Sequence, residues 1–253
     1  GCSAGLLVQA GLAVNYDRGP MDKFRGRVMI PIQDPRGHVV GFGGRILEQN
    51  SQQMAKYMNT GETEWFNKRT LLFGMNVALK EIKKRRQAVI VEGYMDAIAL
   101  HSHNITNAVA SLGTAFTAQQ CRKILRYSPN IYFCYDSDNA GQAATMRALA
   151  IASSNGANVK VITIPDGKDP DEFLRHHGNK EFYALIDKAL PLMEYQLQYV
   201  LKSTDRNTLE GKLLAVNQLM PLLANITNTV ERNEYIIRIS NVLGIDEGVI
   251  RSD

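Results

Sequence analysis

Cysteine and tryptophan are scarce in this chain, with three Cys and one Trp among 253 residues. Cys2, Cys121 and Cys134 are scattered, odd in number and never in a C-x-x-C pair. That excludes a disulfide framework and a cysteine zinc site, and it fits a reducing, cytoplasmic setting. The histidines carry no metal signature: His101 and His103 fall on different faces of a helix, and His176 and His177 are adjacent. No apolar run approaches the roughly 18 residues that a membrane span needs. Internal repeats and low-complexity linkers are missing too. So is the G-x-x-x-x-G-K-[ST] pattern, which excludes a P-loop ATPase. The opening residues Gly-Cys-Ser-Ala-Gly-Leu-Leu have neither an initiator Met nor a basic segment, so they are not a signal peptide, and the chain reads as a piece of a longer one.

Charge of one sign is also sparse overall, but unevenly so. The formal net charge is +4, from 29 Lys+Arg and 25 Asp+Glu. Residues 1–91 hold 14 basic and 7 acidic residues, a net of +7, and residues 92–253 hold 15 and 18, a net of −3. A basic part joined to an acidic part is a hint of a nucleic-acid or phosphate binder. The composition, 45% hydrophobic and 21% charged, is that of a folded soluble chain.

The texture divides the chain into three. Residues 1–77 are rich in Gly and Arg, with strand-like runs at 27–32 and 39–42 on either side of Asp34-Pro35-Arg36-Gly37, a turn signature that predicts a β-hairpin. Residues 78–185 alternate strand and helix. Strands are expected at 88–91, 107–110, 131–135 and 159–164, and helices at 94–102 and 140–154. Thr117 with Gln120 reads as a capping box that opens a further helix. Single helices between strands imply right-handed crossovers and a mainly parallel sheet covered on both faces, an α/β fold. Residues 186–253 show only helical stripes, Leu213, Val216, Leu219, Met220, Leu222 and Leu223 and then Tyr235, Ile236, Ile239 and Leu243, read as core faces of a helical subdomain.

The acids of the α/β segment follow the strands. Glu92 directly follows the first strand, with Asp96 one helical turn on. Asp136 and Asp138 follow the third strand, and Asp169 and Asp171 lie in the loop after the fourth. In an open parallel sheet the C-terminal strand ends share one edge, so three strands deliver six carboxylates to one rim. Unpaired acids so close repel one another, and a divalent cation relieves this. Oxygen-only ligation favours Mg²⁺ or Mn²⁺ over zinc, as in phosphoryl transfer. In the basic part Arg25, Arg27, Arg45, Lys56, Lys68 and Arg69 are interleaved with Phe24, Phe42, Tyr57, Trp65 and Phe66, which suits a surface that tracks a phosphate backbone and stacks bases. Gly41-Phe42-Gly43-Gly44-Arg45 is read as a place where a phosphate approaches the backbone, and Lys83-Lys84-Arg85-Arg86 as a solvated helix end.

Glu92-Gly93-Tyr94-Met95-Asp96, Asp136-Ser137-Asp138 and Asp166-Gly167-Lys168-Asp169-Pro170-Asp171 resemble the motifs of a Toprim domain, in the version found in bacterial DnaG-type primases. The runs at 24–32, 41–45, 56–59 and 110–114 resemble the same family. Thr60-Gly61-Glu62-Thr63 stands where the family usually has Ser-Pro-Glu-Thr, and Asn67 where a His commonly precedes Lys68.

The resemblance implies metal-dependent, template-directed synthesis of short RNA primers on single-stranded DNA from ribonucleoside triphosphates. It places Glu92, Asp96, Asp136 and Asp138 in catalysis and Glu92, Asp136, Asp138, Asp169 and Asp171 on Mg²⁺ or Mn²⁺, with Glu92 either a ligand or the base for the attacking 3′-hydroxyl. Arg25, Arg27, Arg45, Lys56, Asn59 and Lys68 are then the nucleotide- and DNA-binding residues. The family implies zinc only in an N-terminal domain outside this chain, and contact with the replicative helicase through a C-terminal domain also outside it. The expected protein is a cytoplasmic monomer at the bacterial replisome, with no membrane partner. Two other readings compete. A Toprim nuclease or topoisomerase keeps the fold, though no topoisomerase tyrosine is recognisable; a non-catalytic binder has no use for a rim of six acids.

Overall fold

The computed structural model describes residues 1–47, 55–135, 139–165, 169–224, 226 and 228–252, and divides into two compact units, 1–189 and 190–253. In the first unit, helix α1 (Ala4–Gln9) precedes a ribbon of β1 (Ala13–Tyr16) and β2 (Gly19–Asp22). Strands β3 (Arg27–Gln33), β4 (Val39–Ile46) and β5 (Tyr57–Asn59) form an antiparallel sheet in that order. The expected hairpin is β3–β4. Asp34 closes its turn by accepting from the backbone N–H of Arg36 at 2.8 Å and of His38 at 3.0 Å, and Gly37 supplies the positive φ of 90°.

Helix α2 (Met75–Arg85) leads into the α/β part: β6 (Ala88–Val91), α3 (Tyr94–Ser102), β7 (Ala108–Ala110), α4 (Ala118–Leu125), β8 (Asn130–Cys134), α5 (Asn139–Ser154), β9 (Asn158–Val161) and α6 (Pro170–Asp187). The Thr117–Gln120 capping box is present, with bonds of 3.1 and 3.0 Å in the two directions. Strands β9, β8, β6 and β7 lie side by side in that order, every pair parallel. All four residues of β6 are buried, as a central strand covered on both faces requires. The fourth strand is shorter than its apolar run predicts: the ladder ends at Val161, while Ile162 keeps one backbone bond to Phe133 at 2.8 Å and both Ile162 and Ile164 turn into the core.

The strand order fixes where a ligand belongs. From β6 the chain steps through α3 to β7 on one side; from β8 it steps through α5 to β9 on the other. The switch point therefore lies between the C-terminal ends of β6 and β8, where Val91 is paired with Cys134. Glu92 leaves β6 at that point. On one face of the sheet Val89, Val91, Ala108 and Ala110 pack with Ala97 and Leu100 of α3 and Phe173, Leu174, Phe182 and Ile186 of α6. A second cluster, Ile32, Phe66, Leu71, Tyr94 and Leu112, joins the antiparallel sheet to the start of α3.

The second unit consists of α7 (Leu192–Ser203), α8 (Leu209–Ala224), α9 (Thr229–Leu243) and α10 (Glu247–Ser252) around Leu197, Val200, Ala215, Leu219, Leu223, Ile236, Ile239 and Leu243. Most of the predicted stripe faces inward; Leu213 does not, and is exposed, because it lies about 120° around α8 from Leu219, beyond the margin of the buried face. Asn228 caps α9 through two backbone N–H bonds, Gly244 ends it in the left-handed conformation, and Arg238 pairs with Glu194 across helices. Among the described residues no helix is long and apolar enough to cross a membrane.

Candidate active site

A cavity of about 320 Å³ opens at the C-terminal ends of β6 and β7, between the parallel sheet and the β3–β4–β5 sheet. Glu92, Asp96 and Asp169 line one side, Lys56, Tyr57 and Asn59 the other, with Ser111 and Gly113 between them. Each side chain is placed by local structure. Glu92 directly follows the buried β6, and its carbonyl accepts from Ser111 Oγ at 3.1 Å, which ties the ends of β6 and β7 together. Asp96 sits in the first turn of α3 and accepts from the Gly93 N–H at 3.0 Å, so one of its oxygens caps the helix. Asp169 caps α6 by accepting from the Glu172 N–H at 2.7 Å.

Of the other predicted acids, only Asp171 is described, and it does not line the cavity. Asp171 lies in the first turn of α6 and holds Arg175 through both guanidinium contacts, at 3.1 and 2.5 Å. Asp136 and Asp138 lie outside the described residues. The last described residue before them, Tyr135, has a buried hydroxyl, and burial together with the Glu92 charge holds that phenol well above its usual pKa. Sequence reasoning passed over this tyrosine; its signal was its place at the end of β8.

The donors on the acidic side are carboxylates, with no imidazole or thiolate among the cavity residues. That chemistry fits a hard divalent cation such as Mg²⁺ or Mn²⁺ rather than zinc. Among the described residues no three His, Cys, Asp or Glu side chains form a metal-holding group by themselves.

The basic side is ordered by aromatic contacts. Tyr57 lies edge-to-face with the buried ring of Tyr94 at 5.5 Å, and Arg45 and Lys56 lie over Tyr57 at 5.9 and 5.6 Å. Burial of Tyr94, reinforced by Tyr57, pushes its phenol up to about 12. Asn59 donates through Nδ2 to the Leu112 carbonyl at 3.1 Å, which sets its amide orientation and docks β5 on the loop after β7. Gly113 in that loop has φ +69°, and a Cβ there would sit 3.3 Å from Asn59 Nδ2.

Two sequence readings need correction. Arg27 is not a free DNA contact: it is buried, and its Nη1 donates to the carbonyls of Gly44 at 3.2 Å and Lys56 at 3.4 Å, pinning β4 and β5. Arg25, two residues earlier, is exposed. The glycines of the 41–45 run make room for side chains, not for a phosphate. A Cβ would lie 2.5 Å from Phe66 at Gly41, 2.9 Å from Tyr94 at Gly43 and 2.8 Å from Phe24 at Gly44. Lys68 does not line the cavity. It flanks a self-capped loop in which Thr60, Glu62 and Thr63 accept backbone N–H bonds from Phe42, Lys68 and Phe66. Lys23, missed in the sequence, lies close enough to Lys68 that burial and then the Lys68 charge hold its ammonium below the usual pKa.

Comparison with known proteins gives the geometry a lineage. Residues 1–79 match the family model described as DNA primase catalytic core, N-terminal domain; residues 89–174 match Toprim-like. Residues 193–248 match the DnaB-helicase binding domain of primase, which corrects the expectation that the helicase-interacting part lies outside this chain. The DNA primase of Clostridium acetobutylicum is 40% identical over 244 residues, 96% of this chain and 40% of that one. The crystal structure of a DNA primase domain from Pseudomonas aeruginosa superposes with a TM-score of 0.82 at 38% identity, covering 100% of this chain and 80% of that one. A DnaG primase catalytic domain bound to ssDNA gives 0.79 at 36% identity, covering 96% and 76%. The chain thus spans about 40% of the length of the curated relatives it matches. With its basic sheet, its Toprim switch-point acids and all three family models in order along it, the chain belongs to the DnaG-type DNA primase family.

Proposed function

We propose that this chain is the RNA-polymerising core of a primase, a nucleotidyltransferase that builds short RNA primers from ribonucleoside triphosphates on single-stranded DNA. The observation that carries the reading is the cavity itself: Lys56, just before β5, and Asn59 within it share one space with the carboxylates of Glu92, Asp96 and Asp169. A nucleoside triphosphate needs both, since cationic groups attract its anionic phosphates and carboxylates would hold the divalent cation that offsets charge at the reacting phosphorus.

In this reading Glu92, Asp136, Asp138 and Asp169 would hold Mg²⁺ or Mn²⁺, with Asp171 joining them only by giving up Arg175, and the metal when bound would neutralise charge on the transferring phosphoryl group. Lys56 and Arg45, held beside the Tyr57 ring, attract the triphosphate, and Asn59 positions it. Arg25 and Lys68, with Lys23 beside Lys68, extend the cationic surface along the template. Asp96 braces the first turn of α3 so that Glu92 leaves β6 in one direction, and Glu92 serves as ligand or as base for the 3′-hydroxyl. We assign the helical unit to the replicative helicase, a reading its family match supports, and in this reading the protein is a cytoplasmic monomer that works at the replisome.

The test is primer synthesis on a single-stranded template with four ribonucleotides and Mg²⁺ or Mn²⁺. Glu92→Gln keeps the shape and removes the charge, so product should fall at least a hundredfold while template binding persists. Near-normal synthesis by that variant would overturn the assignment. Template hydrolysis with metal and without nucleotides would identify a Toprim nuclease instead.

A further inference from the structure

The catalytic edge is one end of the parallel sheet; the other end carries a charge pattern that the proposed reaction does not use. Helix α2 with its cap, residues 75–86, holds five basic residues and one acid, and residues 118–127 of α4 and its cap hold three basic residues and no acid. The fold brings these two segments together at the N-terminal ends of the strands. Lys83 Nζ lies 5.0 Å over the Tyr127 ring, and Asn130 Nδ2, at the start of β8, donates to the Arg86 carbonyl at 2.7 Å. The edge beneath is neutral: Asn158 donates to Asn130, and Asn107 donates to Gln87.

Part of the charge is spent within the fold. Glu81 pairs with Arg85 at 2.6 Å and lies 3.9 Å from Lys84, while Lys123 donates to the Thr70 carbonyl at 2.8 Å. Lys83, Arg86 and Arg126 are exposed, and among the described residues none of them has an ion-pair partner. Helix dipoles account for some cations at a C-terminus, at about 0.3–1 kcal/mol each. They do not account for Arg86, which caps α2 with φ 50° and ψ 43°, a left-handed position where Gly or Asn is the unstrained choice. A guanidinium stands there against that backbone preference.

We infer that Lys83, Arg86 and Arg126 form a second contact for the phosphate backbone of single-stranded DNA, at the opposite end of the sheet from the catalytic cavity. The patch contains no exposed large apolar side chain, since none of those on this molecule falls at 80–87 or 122–130. A protein interface has an apolar centre and membrane docking needs an apolar wedge, so a purely cationic surface fits a sequence-independent polyanion. The strands between the edges have only four or five residues, a span of ~13–17 Å, so a strand of template leaving the cavity can reach the patch within several nucleotides. This inference goes beyond the catalytic reading and relies on it only for the identity of the template.

The experiment uses the whole chain and two fluorescent single-stranded DNAs, one of about 30 and one of about 8 nucleotides, titrated across salt. The triple variant Lys83→Gln, Arg86→Asn, Arg126→Gln should bind the longer strand at least tenfold more weakly at low salt. Its slope of log K against log salt should shrink by about 2, at roughly 0.7 per lost single-strand phosphate contact. The short strand should bind as before, and primer synthesis on saturating template should be unchanged. Arg86→Asn alone relieves the left-handed strain, so its Tm should hold or rise while long-strand affinity falls, which separates lost charge from lost fold. Equal affinity and slope for the long strand, or an equal loss for both strands, would overturn the inference and leave a face for acidic protein or for water alone. If no primers form but the long-strand loss is seen, the patch stands and the catalytic reading falls.

Discussion

The ring of Tyr94 lies against the backbone of Gly43 so closely that a Cβ at residue 43 would sit 2.9 Å from Tyr94 Cε1 and 3.2 Å from Asn59 Oδ1. Two glycine-rich or aromatic motifs separated by fifty residues are thus halves of one contact. Tyr94 opens α3 two residues after Glu92, so whatever moves its ring disturbs the exit of β6.

Gly43→Ala should therefore lower both stability and primer synthesis. Forcing a methyl into this interface costs about 1–3 kcal/mol, because the ring is boxed by Tyr57 and Phe73 and cannot step aside. Gly5→Ala, in α1 with nothing within 4 Å, is the contrast: it should raise stability by roughly 0.5–1 kcal/mol. Thermal unfolding of the two variants decides the point, and equal Tm values would show that the glycine is not needed for space.

Alkaline unfolding should report Tyr94 directly. Its hydroxyl is buried without a hydrogen-bond partner among the described residues, and its pKa rises from 10.0 to about 12 on folding. A tyrosine raised in this way binds its proton more tightly in the native state. Its stabilising share is complete below pH 10 and is lost as pH climbs from 10 toward 12, by at most ~2.7 kcal/mol at ~1.4 kcal/mol per pH unit. Tyr94→Phe removes that loss and an unsatisfied polar group together. The variant should match or exceed the parent at pH 8 and outlast it clearly above pH 10. Tyr135, Tyr195 and Tyr235 shift in the same direction in both proteins, so the difference between the two curves belongs to residue 94.

What was legible in the sequence was local or periodic. The Asp34 turn, the Thr117–Gln120 box and the apolar strand runs act over a few residues, and each is where its pattern places it, save that the fourth strand stops at Val161. The meeting of Glu92, Asp96 and Asp169 at one cavity was legible because strand ends in a parallel sheet share an edge whatever the side-chain detail. The partners were not legible. Nothing near Asp171 in the sequence says that it spends both oxygens on Arg175, and nothing near Arg27 says that Gly44 and Lys56 will hold its guanidinium underneath the sheet. A glycine required by a side chain across a sheet looks, in sequence, like one required by a phosphate. The helical stripe misled at Leu213 for the related reason that periodicity ranks faces without saying how wide the buried one is.

Arg25 and Arg27 should separate cleanly under substitution. Arg25→Gln removes an exposed charge, so it should weaken DNA binding and lower the salt slope by about 0.7–0.9 with Tm unchanged. Arg27→Gln strips donors from two strand carbonyls and should cost about 1–3 kcal/mol, with the salt slope of the folded protein unaltered. A fall in slope for Arg27→Gln at full stability would return that residue to the binding surface.

Asp169 does two jobs that different substitutions can pull apart. As the N-cap of α6 it holds the Glu172 N–H at 2.7 Å, and as a charge it faces the cavity shared with Glu92, Asp96 and Lys56. Asn caps a helix about as well as Asp, whereas Ala costs about 1 kcal/mol. Asp169→Asn should therefore keep the parent Tm yet lose primer synthesis and shift the Mg²⁺ requirement upward. Asp169→Ala should lose the same activity and, in addition, several degrees of Tm, since a change of 1 kcal/mol moves a domain of 150–250 residues by about 2–4 °C. Because α6 also packs Phe173 and Leu174 on the sheet, fraying its first turn should reach the core in the Ala variant alone. If Asp169→Asn retains full synthesis with an unchanged metal titration, the carboxylate is a helix cap only, and the metal must be held by the acids after β6 and β8.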